Sequence, residues 1–219
     1  MGTRPLLLGH RGARFQKTVR ENTLAAFDFA LAQGCDGFEF DVRLTADGQA
    51  VICHDEVVSP QGLKIAECSA RELGLPTLDE VLSRYKDMAF LDIELKVPGL
   101  ERTTATLLRR WPHARGFVVS SFLPEVVGTV RDLEATIPLG LICETQAQLD
   151  RWTELPVEYV IPHCSLVNQQ LISSLKAGDK KILVWTVNLP AEMKRYVRWG
   201  VDGIVSDYPE KLASTFACM

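Results

Sequence analysis

The sequence predicts a (β/α)₈ TIM barrel, an α/β fold in which parallel strands and helices alternate. Three observations support this prediction. Short β-rich segments alternate with amphipathic helical segments along the chain, and eight of each kind are present. No Pro/Gly/Ser-rich linker or charged block divides the chain. Its 219 residues also suffice for this fold, which starts at about 200 residues. We therefore expect a single domain over residues 1–219.

The strand segments are short runs of β-branched, aliphatic and aromatic residues. They are predicted at residues 5–9, 37–42, 89–96, 116–120, 139–143, 159–162, 182–187 and 203–206. Helices are predicted between them from apolar periodicity, at residues 22–32, 77–85, 100–111, 124–133, 145–152, 166–177, 190–199 and 209–216.

Residues suited to helix starts support several of these helices. Asn22 is predicted to be an N-cap, and Thr77 with Glu80 has the spacing of a capping box. Pro190 and Pro209 suit the first helical position, because proline fixes a helical φ and needs no amide partner there.

One segment departs from the alternation of strands and helices. Residues 49–54 predict an extra strand, and residues 55–74 follow without a regular pattern. This predicts a short insertion after the second strand, on the face where such barrels hold their active sites. The alternative fold is an open doubly wound sheet, but the glycine-rich G-x-G-x-x-G motif of that class is absent from the sequence.

Composition and charge exclude several classes of protein. Hydrophobic residues make up 47% and charged residues 24%, as in globular rather than disordered proteins. Acidic residues outnumber basic ones by 28 to 24, so no overall positive field favours nucleic acid. Apolar runs are far shorter than the ~20 residues of a membrane span, and no signal-peptide segment is visible. We expect a cytoplasmic protein without nucleic-acid partners or stable membrane association.

The cysteines show neither metal-binding nor redox spacing, because no two of them form a C-x-x-C pair. We expect all of them to be reduced and structural, with Cys164, directly after His163, the one to examine for reactivity. The six are Cys35, Cys53, Cys68, Cys143, Cys164 and Cys218.

Acidic residues alternate with apolar ones in the second and third predicted strands. Glu39 and Asp41 do so in the second strand, and Asp92 and Glu94 in the third. Because side chains alternate across a strand, all four carboxylates are expected to point into the barrel near its mouth.

Such a cluster of buried charge needs compensation, because each uncompensated ion costs several kcal/mol. Carboxylates without thiolates suit a hard divalent cation, Mg²⁺ or Ca²⁺, better than zinc. The alternative is that the carboxylates only pair with Arg43 and Lys96, or face solvent on an edge strand.

Histidines follow several predicted strands directly. His10 precedes Arg11 and Gly12, and His54 precedes Asp55. Two imidazoles at one barrel mouth suit acid–base work, since imidazole titrates near neutral pH. The planar guanidinium of Arg11 suits a phosphate group. Together with a hard metal and a lysine, these residues indicate phosphoryl transfer or phosphodiester cleavage. His113 is expected to lie in a loop.

The chain resembles the glycerophosphodiester phosphodiesterase family through motifs spread over nearly its whole length. They are HRGA from residue 10, ENT from residue 21, GCDGFEFDV from residue 34, TADG from residue 45, HD from residue 54, ELK from residue 94, WTVN from residue 185 and DGIVSDYP from residue 202. The stretch after Asp55 departs from the family pattern and leaves the leaving-group preference open.

The resemblance implies a metal-dependent enzyme that splits small glycerophosphodiesters into glycerol 3-phosphate and an alcohol. Glu39, Asp41 and Glu94 are then expected to bind Mg²⁺ or Ca²⁺. His10 and His54 are expected to act as general acid and base, in an order that the sequence leaves open. Direct attack by water and attack by the glycerol 2-hydroxyl, through a cyclic phosphate, both remain open.

The resemblance also implies roles for residues around this centre. Arg11 and Lys96 are expected to bind the phosphate oxygens, and Trp185 and Phe122 to form an apolar wall for the glycerol or alcohol. Two further residues are expected to support the site from behind: Glu21 beside Arg11 or the metal, and Asp207 beside His10 or Arg11.

Three other functions remain as alternatives. A phospholipase relative acting on intact lipid needs an exposed apolar or basic rim, and the sequence contains no such run. A phosphodiester sensor is favoured where a histidine or metal carboxylate is missing, yet all are present. A sugar-phosphate isomerase is disfavoured by Asp207, because a phosphate cradle there needs glycine and backbone donors. The oligomeric state stays open.

Overall fold

The strands of the computed structural model, which describes residues 4–217, close into a parallel barrel. The eight barrel strands are β1 (Leu6–Gly9), β2 (Gly37–Leu44), β6 (Phe90–Leu95), β7 (Phe117–Ser121), β8 (Leu139–Cys143), β9 (Tyr159–Pro162), β10 (Lys181–Val184) and β11 (Gly203–Ser206). The three short strands of the insertion are β3 (Ala50–Ile52), β4 (Val57–Val58) and β5 (Leu63–Lys64). Strand β1 pairs with both β2 and β11, which closes the barrel as predicted.

Helices follow the barrel strands and surround them. In the described residues they are α1 (Leu24–Ala32), α2 (Ala70–Leu73), α3 (Leu78–Tyr85), α4 (Glu101–Arg110), α5 (Pro124–Leu133), α6 (Gln146–Leu149), α7 (Gln169–Ala177), α8 (Pro190–Trp199) and α9 (Pro209–Thr215). Helix α2 belongs to the insertion, and each of the others follows one barrel strand. The (β/α)₈ prediction is therefore confirmed.

The core has two layers, because strand residues alternate between the inside and outside of the barrel. The outward residues of β2 and β6, such as Phe38, Phe40 and Ile93, pack beneath the helices, where Phe38 stacks on Phe27 with ring centroids 4.2 Å apart. A separate inner cluster fills the barrel with Leu8, Phe90, Val118, Ile142, Tyr159, Ile161, Leu183 and Val205. The polar inward residues are thereby left at the carboxyl ends of the strands.

The capping predictions are correct except for Asn22. Thr77 and Glu80 form the reciprocal capping box of α3, and Pro190 and Pro209 begin their helices. Helix α1 is instead capped by Thr23, whose side chain accepts from the amide of Ala26. Asn22 adopts a positive φ of 55°, and its side-chain amide donates a hydrogen bond to Asp41 Oδ2. The side chain expected to cap the helix therefore binds a buried carboxylate instead.

Two predicted helices are shorter than expected because capping residues interrupt them. Residues 145–152 contain α6 followed by a 3₁₀ turn, Asp150–Thr153. Residues 166–177 contain only α7, since the Asn168 side chain caps it and a 3₁₀ turn, Cys164–Leu166, precedes it.

The insertion is more ordered than its sequence suggests. Strand β3 confirms the extra strand and pairs antiparallel with the end of β2. The expectation of an irregular segment at 55–74 is wrong, because β4 and β5 form a hairpin followed by a 3₁₀ turn and α2. A small apolar cluster around Val51, Val58 and Ile65 stabilises this segment. No helix within residues 4–217 has the length and apolarity needed to span a membrane.

Candidate active site

A cavity of about 310 Å³ opens at the carboxyl ends of the barrel strands. Its lining contains both predicted histidines, two of the three predicted metal ligands and all four predicted phosphate- or wall-forming residues. The lining residues are His10, Arg11, Glu39, His54, Asp92, Glu94, Lys96, Phe122, Ile142, Glu144, Ile161, Trp185 and Val205. The remaining predicted ligand, Asp41, lies beneath the surface and contacts Arg11 and Lys96.

Three carboxylates meet at one point of this cavity. Oxygen atoms of Glu39, Asp41 and Glu94 lie within 4.8 Å of one another, and all three residues are buried. Strand pairing explains the meeting, since β2 and β6 place Asp41 directly beside Glu94.

Burial and mutual repulsion perturb these acids. Burial, followed by the charges of Asp41 and Glu94, raises the pKa of Glu39 well above its usual range. Burial and Asp41 likewise raise the pKa of Glu94 to about 7. For Asp41, Lys96 and Arg11 outweigh the effect of burial and hold the pKa below its usual value.

Two cations offset part of this negative charge. Lys96 Nζ lies 2.7 Å from Glu94 Oε1 and 3.3 Å from Asp41 Oδ1. The second cation is Arg11, whose Nε lies 3.3 Å from Asp41 Oδ2. The alternative pairing with Arg43 is wrong, because that guanidinium turns away and its Nε donates to the carbonyl of His54 at 2.7 Å.

The residues at this point fit a hard divalent cation. Asp92 joins Glu39, Asp41 and Glu94 to give four carboxylates against two cations, an excess of two negative charges when all are ionised. Glu39 Oε1 is buried and has no hydrogen-bond partner within residues 4–217. A buried acceptor of this kind destabilises the folded protein unless a bound ligand interacts with it. Oxygen ligands of this kind are those that Mg²⁺ and Ca²⁺ prefer.

His10 is fixed by residues from the other end of the chain. Its Nδ1 lies 2.6 Å from Asp207 Oδ1, while its Nε2 faces the cavity 3.7 Å from Glu39 Oε2. Asn188 in turn donates to Asp207 Oδ2 at 2.7 Å. Since an ionised carboxylate only accepts, the His10 proton lies on Nδ1 and leaves Nε2 free as an acceptor.

Burial lowers the pKa of His10, against the opposing effect of its hydrogen bond to Asp207. Hydrogen bonds from His10 and Asn188 keep the pKa of Asp207 below its usual value despite its burial. The expected contact of Asp207 with His10 is therefore present in the structure.

His54 lies at the start of the insertion and is more open to solvent than His10. Its Nδ1 lies 2.7 Å from Asp55 Oδ1, and the Arg43 hydrogen bond holds its main chain. Both predicted histidines thus line one cavity, His10 from the end of β1 and His54 from the insertion.

The turn after β1 positions Arg11. Gly12 has a φ of 76°, and a side chain there would meet the backbone of Ala26 at 2.6 Å, so only glycine permits this packing. The turn directs the Arg11 amide to Glu39 Oε2 at 3.0 Å, while its Nη1 donates to Glu21 Oε1 at 2.8 Å. Glu21 therefore lies beside Arg11, as the resemblance implied.

The expected aromatic wall lines the same cavity as the carboxylates. Trp185 and Phe122 meet edge to face, with ring centroids 5.7 Å apart. Trp185 Nε1 donates to the carbonyl of Ile161 at 3.0 Å, which fixes the indole ring. His163 packs edge to face against Trp185, with ring centroids 5.1 Å apart.

Asp92 and the cysteines have structural surroundings. Asp92 lies deeper than Glu94 and accepts from Ser120 Oγ at 2.6 Å, and burial raises its pKa to about 7. The described cysteines are free thiols, whereas Cys218 lies outside the described residues. Burial raises the pKa of Cys164, whose Sγ lies 3.9 Å from His163 Nε2, so the structure gives it no activated thiolate.

Three residues of the site were not singled out as site residues from the sequence. They are Asn22 and Asn188, which hold Asp41 and Asp207, and Glu144, which lines the cavity. The position of Glu144 directly after β8 is a usable signal, because residues after barrel strands surround the mouth. The two asparagines lie within the ENT and WTVN motifs of the family resemblance, and that position is the signal for them.

Comparisons with known proteins agree with this fold. The model of the glycerophosphoryl diester phosphodiesterase family matches residues 10–73 and 59–211. A glycerophosphodiester phosphodiesterase of Caldanaerobacter subterraneus subsp. tengcongensis is 32% identical over 94% of this chain and 96% of its own length. One from Bacillus altitudinis is 29% identical over 94% of this chain and 95% of its own.

Among solved structures, a phosphodiesterase of Oleispira antarctica in complex with the product sn-glycerol-3-phosphate superposes with a TM-score of 0.87. It is 29% identical, and the match covers 97% of each chain. The family match spans most of the chain and includes every strand that supplies the carboxylate cluster. The protein is therefore an enzyme of the glycerophosphoryl diester phosphodiesterase family.

Proposed function

We propose that the protein hydrolyses glycerophosphodiesters to glycerol 3-phosphate and an alcohol, with a bound divalent cation and two histidines. The supporting observation is one cavity that combines the Glu39, Asp41 and Glu94 cluster with Arg11, Lys96 and both histidines. The product complex of the Oleispira antarctica relative supports glycerol 3-phosphate as a product here as well.

In this proposal Glu39, Asp41 and Glu94 hold Mg²⁺ or Ca²⁺, and the ion supplies Lewis-acid stabilisation of charge on phosphate oxygens. Arg11 and Lys96 bind the phosphate oxygens and stabilise their charge as the transition state forms. Both cations are already held by the carboxylates, so they need little reorganisation during the reaction.

His10 Nε2 accepts the proton of the attacking hydroxyl group, because Asp207 holds the His10 proton on Nδ1. The resulting imidazolium is stabilised by Asp207, as in other histidine–carboxylate pairs. His54, which lines the same cavity, donates a proton to the leaving alkoxide. The same two roles serve attack by water and attack by the glycerol 2-hydroxyl. In the second case water then opens the cyclic phosphate to glycerol 3-phosphate, with His54 as the base and His10 as the acid.

The proposal includes residues 1–219 as one functional domain in the cytoplasm. One closed barrel supplies every residue of the site, which supports a single domain. The cysteines within residues 4–217 are unpaired, as is usual in a reducing compartment.

The test measures glycerol 3-phosphate released from glycerophosphocholine and glycerophosphoethanolamine, with millimolar Mg²⁺ or Ca²⁺ and with a chelator. We expect release with metal and its loss with chelator. Glu94→Gln should abolish release and the metal-induced rise in melting temperature, while the metal-free variant melts no lower than wild type, because a repelling buried carboxylate is gone. Wild-type rates in this variant, or no release from a wider panel of phosphodiesters, would contradict the proposal.

A further inference from the structure

The cavity is divided by charge into two halves. The polar half comes from β1, β2, the insertion and β6, and contains His10, Arg11, Glu39, His54, Asp92, Glu94 and Lys96. The apolar half comes from β7 to β11 and contains Phe122, Ile142, Glu144, Ile161, Trp185 and Val205. Among the described residues that line the apolar half, Glu144 alone carries a charge.

The carboxylate of Glu144 is not engaged by the protein itself. Its main-chain amide donates to Gln148 Oε1 at 2.9 Å, which fixes the backbone at the end of β8. Its side chain is exposed and has neither an ion pair nor a hydrogen bond with any residue in 4–217. A free negative charge thus stands at the rim of an apolar wall.

The wall beside Glu144 offers aromatic surface. The rings of Trp185 and Phe122 are inclined at 83° and form a corner. Lys96 Nζ already lies 5.7 Å from the centre of the Phe122 ring, so the indole of Trp185 is the surface left for a cation from the substrate. Aromatic faces attract quaternary and primary ammonium groups, which carry apolar methylene or methyl groups next to their charge.

This inference rests on the proposed function, in which the phosphate lies between Arg11 and Lys96 with one substituent on each side. The glycerol arm has two hydroxyl groups that need hydrogen-bond partners, and the polar half supplies them. An alcohol that carries an ammonium group needs apolar contact and a negative charge instead. The apolar half supplies both.

We propose that Glu144, together with Trp185, selects glycerophosphodiesters whose leaving alcohol carries a positive charge, such as choline or ethanolamine. Glu144 is then a specificity-determining residue. The carboxylate attracts the cation, and the indole ring contacts its alkyl groups. Because Glu144 is exposed, this attraction weakens as the ionic strength rises.

A pair of substrates of equal shape tests the charge alone. Glycerophosphocholine is compared with its neutral analogue, the glycerophosphodiester of 3,3-dimethylbutanol, in which a carbon replaces the nitrogen. Both release glycerol 3-phosphate, so one assay gives kcat/KM for each. In wild type we expect glycerophosphocholine to be favoured about tenfold. In Glu144→Gln this ratio should fall to about twofold, and in Glu144→Lys below one.

Glu154→Gln is the matched control, because it removes an exposed carboxylate that does not line the cavity. Its ratio should equal that of wild type. Hydrolysis of neither substrate by wild type contradicts the proposed function itself. Hydrolysis of both at equal rates leaves that function intact and overturns this inference. An unchanged ratio in Glu144→Gln, or an equal loss for both substrates, also overturns it.

Discussion

Asp207 Oδ1 lies 2.6 Å from His10 Nδ1, although 197 residues separate the two in the chain. The contact follows from closure of the barrel, in which β1 pairs with β11 and sets Gly9 beside Ser206. His10 and Asp207, the residues that directly follow these two strands, therefore lie at the same level of the barrel mouth. The last strand thus orients a histidine supplied by the first.

Replacing Asp207 with asparagine should impair catalysis much more than binding. An asparagine amide can donate to His10 Nδ1, which moves the imidazole proton to Nε2 and removes the acceptor that faces the cavity. We expect kcat to fall by about 100- to 10,000-fold with little change in KM, by analogy with other histidine–carboxylate pairs. Steady-state kinetics on glycerophosphocholine measures both constants. A raised KM with normal kcat would place Asp207 in substrate binding instead.

Arg43 should affect the rate through His54. Its guanidinium Nε donates to the His54 carbonyl at 2.7 Å, and its side chain is only 12% exposed. Lysine can offer a charge but not the same planar donor. We expect Arg43→Lys to lower kcat about tenfold, because small displacements of a catalytic group are costly. Arg84→Lys, an exposed change on α3, should keep the wild-type kcat. A normal kcat in Arg43→Lys would show that this bond does not fix His54.

Asp92 should be a source of instability in the metal-free protein. Its pKa of about 7 in the folded state exceeds the usual value, so the folded protein binds a proton that the unfolded chain releases. The contribution of Asp92 to stability therefore falls as pH rises from about 4 to about 7.

Asp92→Asn removes this charge and keeps the acceptor for Ser120 Oγ. With chelator at about pH 8, we expect the free energy of unfolding to rise by about 1–3 kcal/mol, with the gain disappearing near pH 4. Urea denaturation at both pH values measures it. If the variant is less stable than wild type at the higher pH, burial of the Asp92 charge does not destabilise the folded protein.

His113 should destabilise the protein under acidic conditions. It lies in the loop before β7, as expected, against Phe117 with ring centroids 5.5 Å apart. Neither ring nitrogen has a hydrogen-bond partner in the described part of the chain, and burial lowers the His113 pKa to about 4. Between about pH 6.5 and pH 4 the unfolded chain binds this proton and the folded protein does not, so stability falls as pH falls.

Between about pH 7 and pH 5 this effect should cost about 1 kcal/mol in wild type, because partial exposure of the ring to solvent weakens the effect of burial. His113→Phe keeps an aromatic ring against Phe117 but cannot bind a proton. The loss of unfolding free energy over this pH range should therefore be smaller in the variant by about the same amount. Equal losses in the two proteins, measured by urea denaturation with chelator, would show that His113 is protonated when folded.

The sequence by itself determined the alternation of strands and helices, and with it the barrel. Alternation within single strands also predicted that Glu39, Asp41, Asp92 and Glu94 point inward, because a two-residue period needs only local geometry. The motif around His10 and Arg11 was visible for the same reason, since its residues are neighbours in the chain.

Tertiary structure alone decided which charges meet. Both Arg11 and Arg43 were available to pair with the carboxylates, and the left-handed turn at Gly12 brings Arg11 to Asp41 while β3 leaves Arg43 beside His54. Asn22 likewise does not cap α1, because the fold places its side chain beside the carboxylate of Asp41. A buried carboxylate takes the nearest donor in space, and separation along the chain does not specify that distance.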